Sequence, residues 1–415
     1  MRVLLINTSE RVGGAAIAAN RLMEALKRNG VKAQMLVRDR QTQQLTVSAV
    51  RQSWLLPMKF LWERMVIFLR NGWNRKRMWQ VDLANVGTDV TSMPEFQYAD
   101  VIHLHWVNQG FLSLADLQKI LTSGKPVVVT MHDEWYFTGV CHYSGACERY
   151  KTTCQACPLM GGRTWLPDLA QKVFNKKKQL YGMGKLTFVG CSQWMASMAR
   201  ESSLLKGIRV ESIPNAINTE LFRPTDKDLA RESLGLPKDA PLILFSAQRT
   251  TDPRKGFALL TEALRLLDES MTDQSQRPTL VVVGGQSDKI DVALPFPVVS
   301  IKYLEKETDM VSLYNAVDVY VTPSLEDNLP NTVMESLACG TPCVGFRVGG
   351  IPEMIDHQQN GYVANYKDAA DLAEGIRWTL APERRESLHE AARKKVMENY
   401  TEQRVARLYS EIYES

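Results

Sequence analysis

In AQRTTDPRKG, Arg249 and Lys255 flank a turn that follows the apolar run LILFS and precedes a helical pattern. Both cations therefore stand at the carboxyl end of a strand, where two positive charges can neutralise a diphosphate; a solvated loop would use the same residue types. Further on, SLEDNLPNTVMESLACGTP places Asp327 and Glu335 on either side of a Pro-Asn-Thr turn. Asn331 or Thr332 is expected to cap a helix starting near Val333, whose amides point back at the strand ends. Glu335 then falls in the first turn, where it either complements the helix dipole, worth about 0.3–1 kcal/mol, or accepts hydrogen bonds from neighbouring hydroxyls of a ribose. Asp327, in the loop, is free to reach another ligand hydroxyl. Cations, helix amides and carboxylates gathered at strand ends suit a sugar nucleotide.

The first half of the chain carries a second set. INTSERVGGAAIAANRL reads as strand, loop and helix, with Gly13 and Gly14 where backbone amides could approach an anion, although the same pair serves a tight turn. The full G-x-G-x-x-G pattern is absent, and no acid clearly holds a dinucleotide ribose, so hydride transfer is poorly supported. His103, His105 and Trp106 end the run VIHLHW, and His132 and Asp133 end VVVTMHD. Strand alternation puts His103 and His105 on one face. His105 and Asp133 are candidates for the acceptor side. Next comes CHYSGACERYKTTCQACP, in which Cys141, Cys147, Cys154 and Cys157 follow a C-x5-C-x6-C-x2-C pattern. That set could wrap a structural zinc, with His142 as a substitute ligand, whereas two disulfides are disfavoured in a cytosolic chain.

These residues need elements to hold them. Short β-branched runs alternate with helical patterns throughout, which predicts an α/β chain of two doubly wound, Rossmann-like parallel-sheet domains facing a cleft. At 415 residues with 45% hydrophobic residues, there is core enough for both. SIPNAINTELFRPTDKD reads as the linker. The expected division is an acceptor-binding domain over 1–214 with a Cys-rich insertion at 141–158, a nucleotide-sugar domain over 215–394, and a helix over 395–415 returning toward the first domain. A formal charge of +4 gives no global field for nucleic acid. No apolar run reaches membrane-spanning or signal-peptide length, which predicts a cytoplasmic chain, at most peripheral to the inner face of the cell membrane. Within 51–80, Trp54, Met58, Trp62, Met65 and Leu69 form a stripe with Lys59, Glu63 and Arg70 opposite. Such a stripe is either core or a membrane-interface helix.

AQRTTDPRKG, PSLEDNLPNTVMESLACGTPCV and VGGIPEMIDHQQNGYV together resemble the C-terminal half of the family-four retaining glycosyltransferases of GT-B fold, and IPNAINTELFRP resembles their linker. The likeness extends through the N-terminal GG loop, DVIHLHW, VVVTMHD and VGCSQWMASMA, and the cysteine insertion is similar to that of a subgroup acting in bacterial exopolysaccharide assembly. The resemblance implies that Arg249 and Lys255 hold the donor diphosphate, Glu335 the nucleotide ribose and Asp327 the transferred sugar. It places Asn328, Leu329, Asn331 and Thr332 at the donor and His132 near the leaving group. It further implies a retaining transfer to a saccharide or lipid-linked saccharide acceptor, with no protein nucleophile and no cofactor required for catalysis. The lack of a D-x-D sequence before the donor site agrees with metal independence. The sequence departs from the family in carrying DNLPN where EGFGL is commoner, so Asp327 is one methylene shorter than the usual Glu. A nucleotide-sugar epimerase on the same fold and a non-catalytic assembly scaffold remain as alternatives, separable by product analysis from donor alone and by single-turnover donor cleavage.

Overall fold

The computed structural model describes residues 1–51, 53–161, 168–272, 277–285, 293–302, 304 and 306–415. The chain divides into two units, one of Met1–Asn215 with Val405–Ser415 and one of Ala216–Arg404.

The first unit is a seven-stranded sheet: β1 (Arg2–Ser9), β2 (Lys32–Asp39), β3 (Val47–Ala49), β4 (Val101–Leu104), β5 (Val127–Met131), β6 (Leu186–Gly190) and β7 (Arg209–Ser212). They run in the order β3-β2-β1-β4-β5-β6-β7, every pair parallel. The order reverses between β1 and β4, so a crevice is expected beyond the carboxyl ends of those two strands. Every residue of β4 and β5 is buried, as a parallel sheet covered on both faces requires.

The second unit repeats the plan with six parallel strands: β8 (Leu242–Arg249), β9 (Thr279–Gly285), β10 (Val298–Ile301), β11 (Val319–Thr322), β12 (Cys343–Phe346) and β13 (Gly361–Ala364). Their order is β10-β9-β8-β11-β12-β13, which puts the reversal between β8 and β11. Arg249 ends β8 with Lys255 in the loop after it, and the loop leaving β11 carries Asp327. The helix Ala369–Leu380 covers this sheet with Leu372 and Ile376, which join Ile243, Val319 and Val344 in its core.

The chain ends in two helices, Arg385–Asn399 and Glu402–Glu414. The last buries Val405, Tyr409, Ile412 and Tyr413, and it does so within the first unit. Of the two readings of the stripe on the helix Leu56–Arg70, core packing does not hold. Glu63 and Arg64 are buried, and the Trp and Met side chains are not. No helix among the described residues is long and apolar enough to cross a membrane.

Candidate active site

In the second unit, the loop leaving β8 makes a 3-10 turn over Pro253–Lys255 that ends at Gly256. Gly256 has φ +70°, and a Cβ there would lie 1.9 Å from the Pro323 carbonyl oxygen. Only glycine allows this approach, which lets the Leu325 amide donate to the Arg254 carbonyl at 2.7 Å. The two loops are thereby pressed together, and the Lys255 ammonium meets the Asp327 carboxylate at 2.7 Å. Gly349, at φ +56°, closes the other side: a Cβ would sit 1.7 Å from the Asp327 carbonyl oxygen. Its neighbour Gly350 donates its amide to the Asn328 carbonyl at 2.7 Å.

The helix after this loop runs from Asn331 to Ala338, with Pro330 at its N-cap and no capping side chain. It thus starts two residues before the expected Val333, because Pro330 already supplies a helix-compatible φ and a carbonyl for the Val333 amide (3.1 Å). Asn331 and Thr332 are helical rather than caps. The Thr332 hydroxyl instead accepts from Tyr320 at 2.9 Å, which fixes it to the end of β11. Glu335 lies beyond the first turn, so the simple dipole reading loses its footing. Its carboxylate is buried and accepts a 2.8 Å hydrogen bond from the Tyr314 hydroxyl. Burial, together with the Glu335 charge, pushes the Tyr314 phenol well above its ordinary range, so Tyr314 remains a donor. Asn328 and Leu329 are buried in the connecting loop. Arg249 ends β8 with its side chain exposed.

The structure therefore brings Lys255 and Asp327 into contact and holds Glu335 on a separate support. Tyr314, which lies on the helix Glu307–Ala316, was not singled out from sequence. In the run SLYNA nothing separates it from an ordinary core tyrosine.

In the first unit, Glu10 is buried and accepts from the amides of Gln41 (2.6 Å) and Thr42 (2.8 Å) and from the Thr42 hydroxyl. This ties the loop after β1 to the loop after β2. Gly13, at φ 93°, then caps the helix Gly14–Arg28 without a side-chain hydrogen bond.

His103 is a satisfied core residue. One ring nitrogen meets the Tyr413 hydroxyl and the other the Thr130 hydroxyl, both at 2.7 Å, and Tyr409 reaches Thr130 at 2.8 Å. The last helix of the chain thus sets the ring on which His105 rests, the two centroids being 4.3 Å apart. His105 Nδ1 is 2.9 Å from His132 Nε2, and His132 Nδ1 is 3.5 Å from the Cys191 thiol. His105 Nε2 is buried with no partner among the described residues. Burial lowers His103 to about 3 and His132 to about 4, and takes His105 well below its ordinary value. All three rings are neutral near pH 7. Cys191, His132 and His105 form a relay whose open end is His105 Nε2.

Asp133, expected on the acceptor side, is fully engaged. Its carboxylate accepts from Trp106 Nε1 and His142 Nδ1, each at 2.7 Å, and from the Trp135 amide at 2.9 Å. Burial would raise it, yet the neighbouring His142 and these donors outweigh that and hold it below the usual carboxylate range. Asp133 organises the loop rather than offering a free base. Lys177 supports the same turn from beneath: its ammonium donates to the carbonyls of Trp135, Thr138 and Gly139 and lies 3.5 Å from the Trp135 ring centre. Burial draws it down to about 7.

The four clustered cysteines are free thiols, and Cys154 accepts from the Gly139 amide at 3.2 Å. Among the described residues no group of three or more His, Cys, Asp or Glu side chains converges as metal ligands would. His142 is committed to Asp133. As arranged, this set does not fit a tetrahedral zinc.

Residues 226–395 match the family described as Glycosyl transferases group 1. A D-inositol 3-phosphate glycosyltransferase of Saccharomonospora viridis is 30% identical over 196 residues, which is 44% of this chain and 45% of that protein. The WcaC glycosyl transferase of Escherichia coli, whose name assigns it to colanic acid biosynthesis, is 25% identical over 277 residues, 64% of this chain and 63% of that one. Thus the match spans under half the length of the first of these relatives. Among solved structures, sucrose-phosphate synthase of Thermosynechococcus elongatus superposes with a TM-score of 0.66 at 18% identity, covering 100% of this chain and 98% of the other. HepE of Anabaena in complex with UDP-glucose gives 0.62 at 15% identity, covering 99% of each. The paired parallel sheets and these neighbours make the fold GT-B, and residues 226–395 match the Glycosyl transferases group 1 family.

Proposed function

We propose that this chain is a retaining, metal-independent glycosyltransferase that moves a sugar from a nucleotide-sugar donor to a saccharide or lipid-linked saccharide, in bacterial polysaccharide biosynthesis. The observation that carries this reading is the Lys255–Asp327 contact at the point where the strand order of the second unit reverses, beside a helix end that no side chain caps.

A donor diphosphate outcompetes Asp327 for the Lys255 ammonium because it brings more negative charge and more acceptor oxygens. Arg249 and the first amides of the helix at Asn331 complete its neutralisation. Asp327, released from the ion pair, accepts from a hydroxyl of the transferred sugar. Glu335, held by Tyr314, accepts from the ribose. As the bond between the sugar carbon and the phosphate oxygen breaks, positive charge develops on the ring and negative charge on the leaving diphosphate, where the cations are already placed. The acceptor hydroxyl attacks from the leaving-group face, and its proton passes to the departing phosphate oxygen. No protein nucleophile or metal is needed.

The complex of HepE with UDP-glucose and the name of WcaC favour a uridine nucleotide donor and a polysaccharide product. Thermal melts against a panel of nucleotide sugars test the reading, because a ligand of the folded state raises the melting temperature. Stabilisation by UDP-glucose or a related donor, followed by transfer with retained anomeric configuration, is the expected result. No stabilisation by any nucleotide sugar would overturn it.

A further inference from the structure

The helix Leu56–Arg70 is built inside out. Its inward face carries an ion cluster: Arg64 donates to Glu63 at 2.7 Å and to Asp82 at 3.1 Å, and to the carbonyls of Met78 (3.1 Å) and Val81 (3.0 Å). Glu63 also accepts from the Asn85 amide at 2.8 Å, and Asp82 from the Gln109 amide at 2.9 Å. Breaking so enclosed a set is costly, so the helix cannot roll to bury its other side. That other side holds Met58, Leu61, Trp62, Met65 and Leu69 at helical spacing, all exposed, and Trp54 and Trp73 extend it. Leu61 is 70% exposed and Trp54 80%. Among the described residues, eight of the 17 exposed large hydrophobic side chains fall between Trp54 and Trp79, which makes this a patch rather than scatter.

Charge identifies the occupant. Arg51, Lys59, Arg75, Lys76 and Arg77 are exposed around the patch, and Glu63, the one acid in 51–80, is buried. A second copy of the chain seated symmetrically here would bring two sets of five cations together. A bilayer carrying anionic headgroups offers both the apolar layer for Trp and Leu and the negative surface for Lys and Arg. We propose that this face lies in the interface of an anionic lipid membrane, with the buried Glu63–Arg64–Asp82 cluster as the keel that keeps the Trp and Leu side chains outward. The proposal stands independently of the transfer reaction.

Flotation of the full chain with vesicles of phosphatidylcholine, with and without phosphatidylglycerol, tests it. The protein is expected to float with the phosphatidylglycerol vesicles at low salt and to be released at high salt. Leu61→Ser with Trp62→Ser should cut the bound fraction roughly tenfold. Because both side chains are already exposed, that variant should melt at the parent temperature, which separates loss of binding from loss of fold. Three outcomes overturn the proposal. One is failure of the folded parent to float at low salt, and another is undiminished flotation of the double variant. The third is a dimer in light scattering that the double variant dissolves, which would assign the face to a second copy.

Discussion

The Lys255 ammonium and the Asp327 carboxylate, 72 residues apart in sequence, stand 2.7 Å from each other because Gly256 and Gly349 let two loops close on the segment between them. Lys255 is one-third exposed, so the pair adds little to stability.

On the proposed reading, Lys255→Ala removes a cation that would neutralise the leaving diphosphate. Donor turnover, measured as kcat/KM, is expected to fall roughly 100-fold, about 3 kcal/mol of lost transition-state stabilisation. The unfolding midpoint should scarcely move. Full activity in this variant would refute the assignment of the diphosphate site.

Gly349→Ala places a methyl group against the Asp327 backbone while leaving every polar side chain intact. The displaced loop should lower kcat for sugar transfer by roughly tenfold, and strain should cost about 1–3 kcal/mol in denaturant melts. Gly207→Ala is the control: it has positive φ too, but nothing within 4 Å of the added carbon. If both variants lose activity equally, contact with Asp327 is not the cause.

Tyr314→Phe strips Glu335 of its buried donor. Donor affinity, read by calorimetry with the nucleotide alone, should weaken by about 1–2 kcal/mol, as for a hydrogen bond to a charged group. Unchanged nucleotide affinity would show that Glu335 needs no such support.

The three neutral histidines make the first unit acid-sensitive. Their folded pKa values lie below the ordinary 6.5, with His132 at about 4 and His103 at about 3, because burial disfavours the charged ring. The unfolded chain therefore binds more protons below about pH 6.5, and stability falls as pH drops through that window. Each ring contributes up to about 1.4 kcal/mol per pH unit. Urea melts between about pH 7 and pH 5 should show a steep decline that His103→Gln makes shallower. A flat profile would mean that the rings are already charged in the folded state.

Much of this molecule was legible in its sequence, and the reason is local. Apolar runs with strand-end polar residues announced β1, β4, β5, β6 and five of the six strands of the second sheet, since strands of a covered parallel sheet read as near-continuous apolar runs. β2, β3, β7 and β13 went unread: three are only three or four residues long, and β2 alternates exposed and buried positions at its start. Arg249, Lys255 and Asp327 stood out because charge at a strand exit has few structural uses, and the structure brings Lys255 and Asp327 into contact.

Residue type and spacing alone determined the alternation of elements and which charged residues stand at the strand ends. Contacts between distant segments decided the rest. The burial of Glu63 and Arg64 depends on Asp82, and the orientation of His103 depends on Tyr413, 310 residues away. Asp133 became a structural anchor once Trp106 and His142 converged on it. Such pairings leave no periodic trace, because a hydrogen bond or ion pair between remote residues constrains space and not spacing.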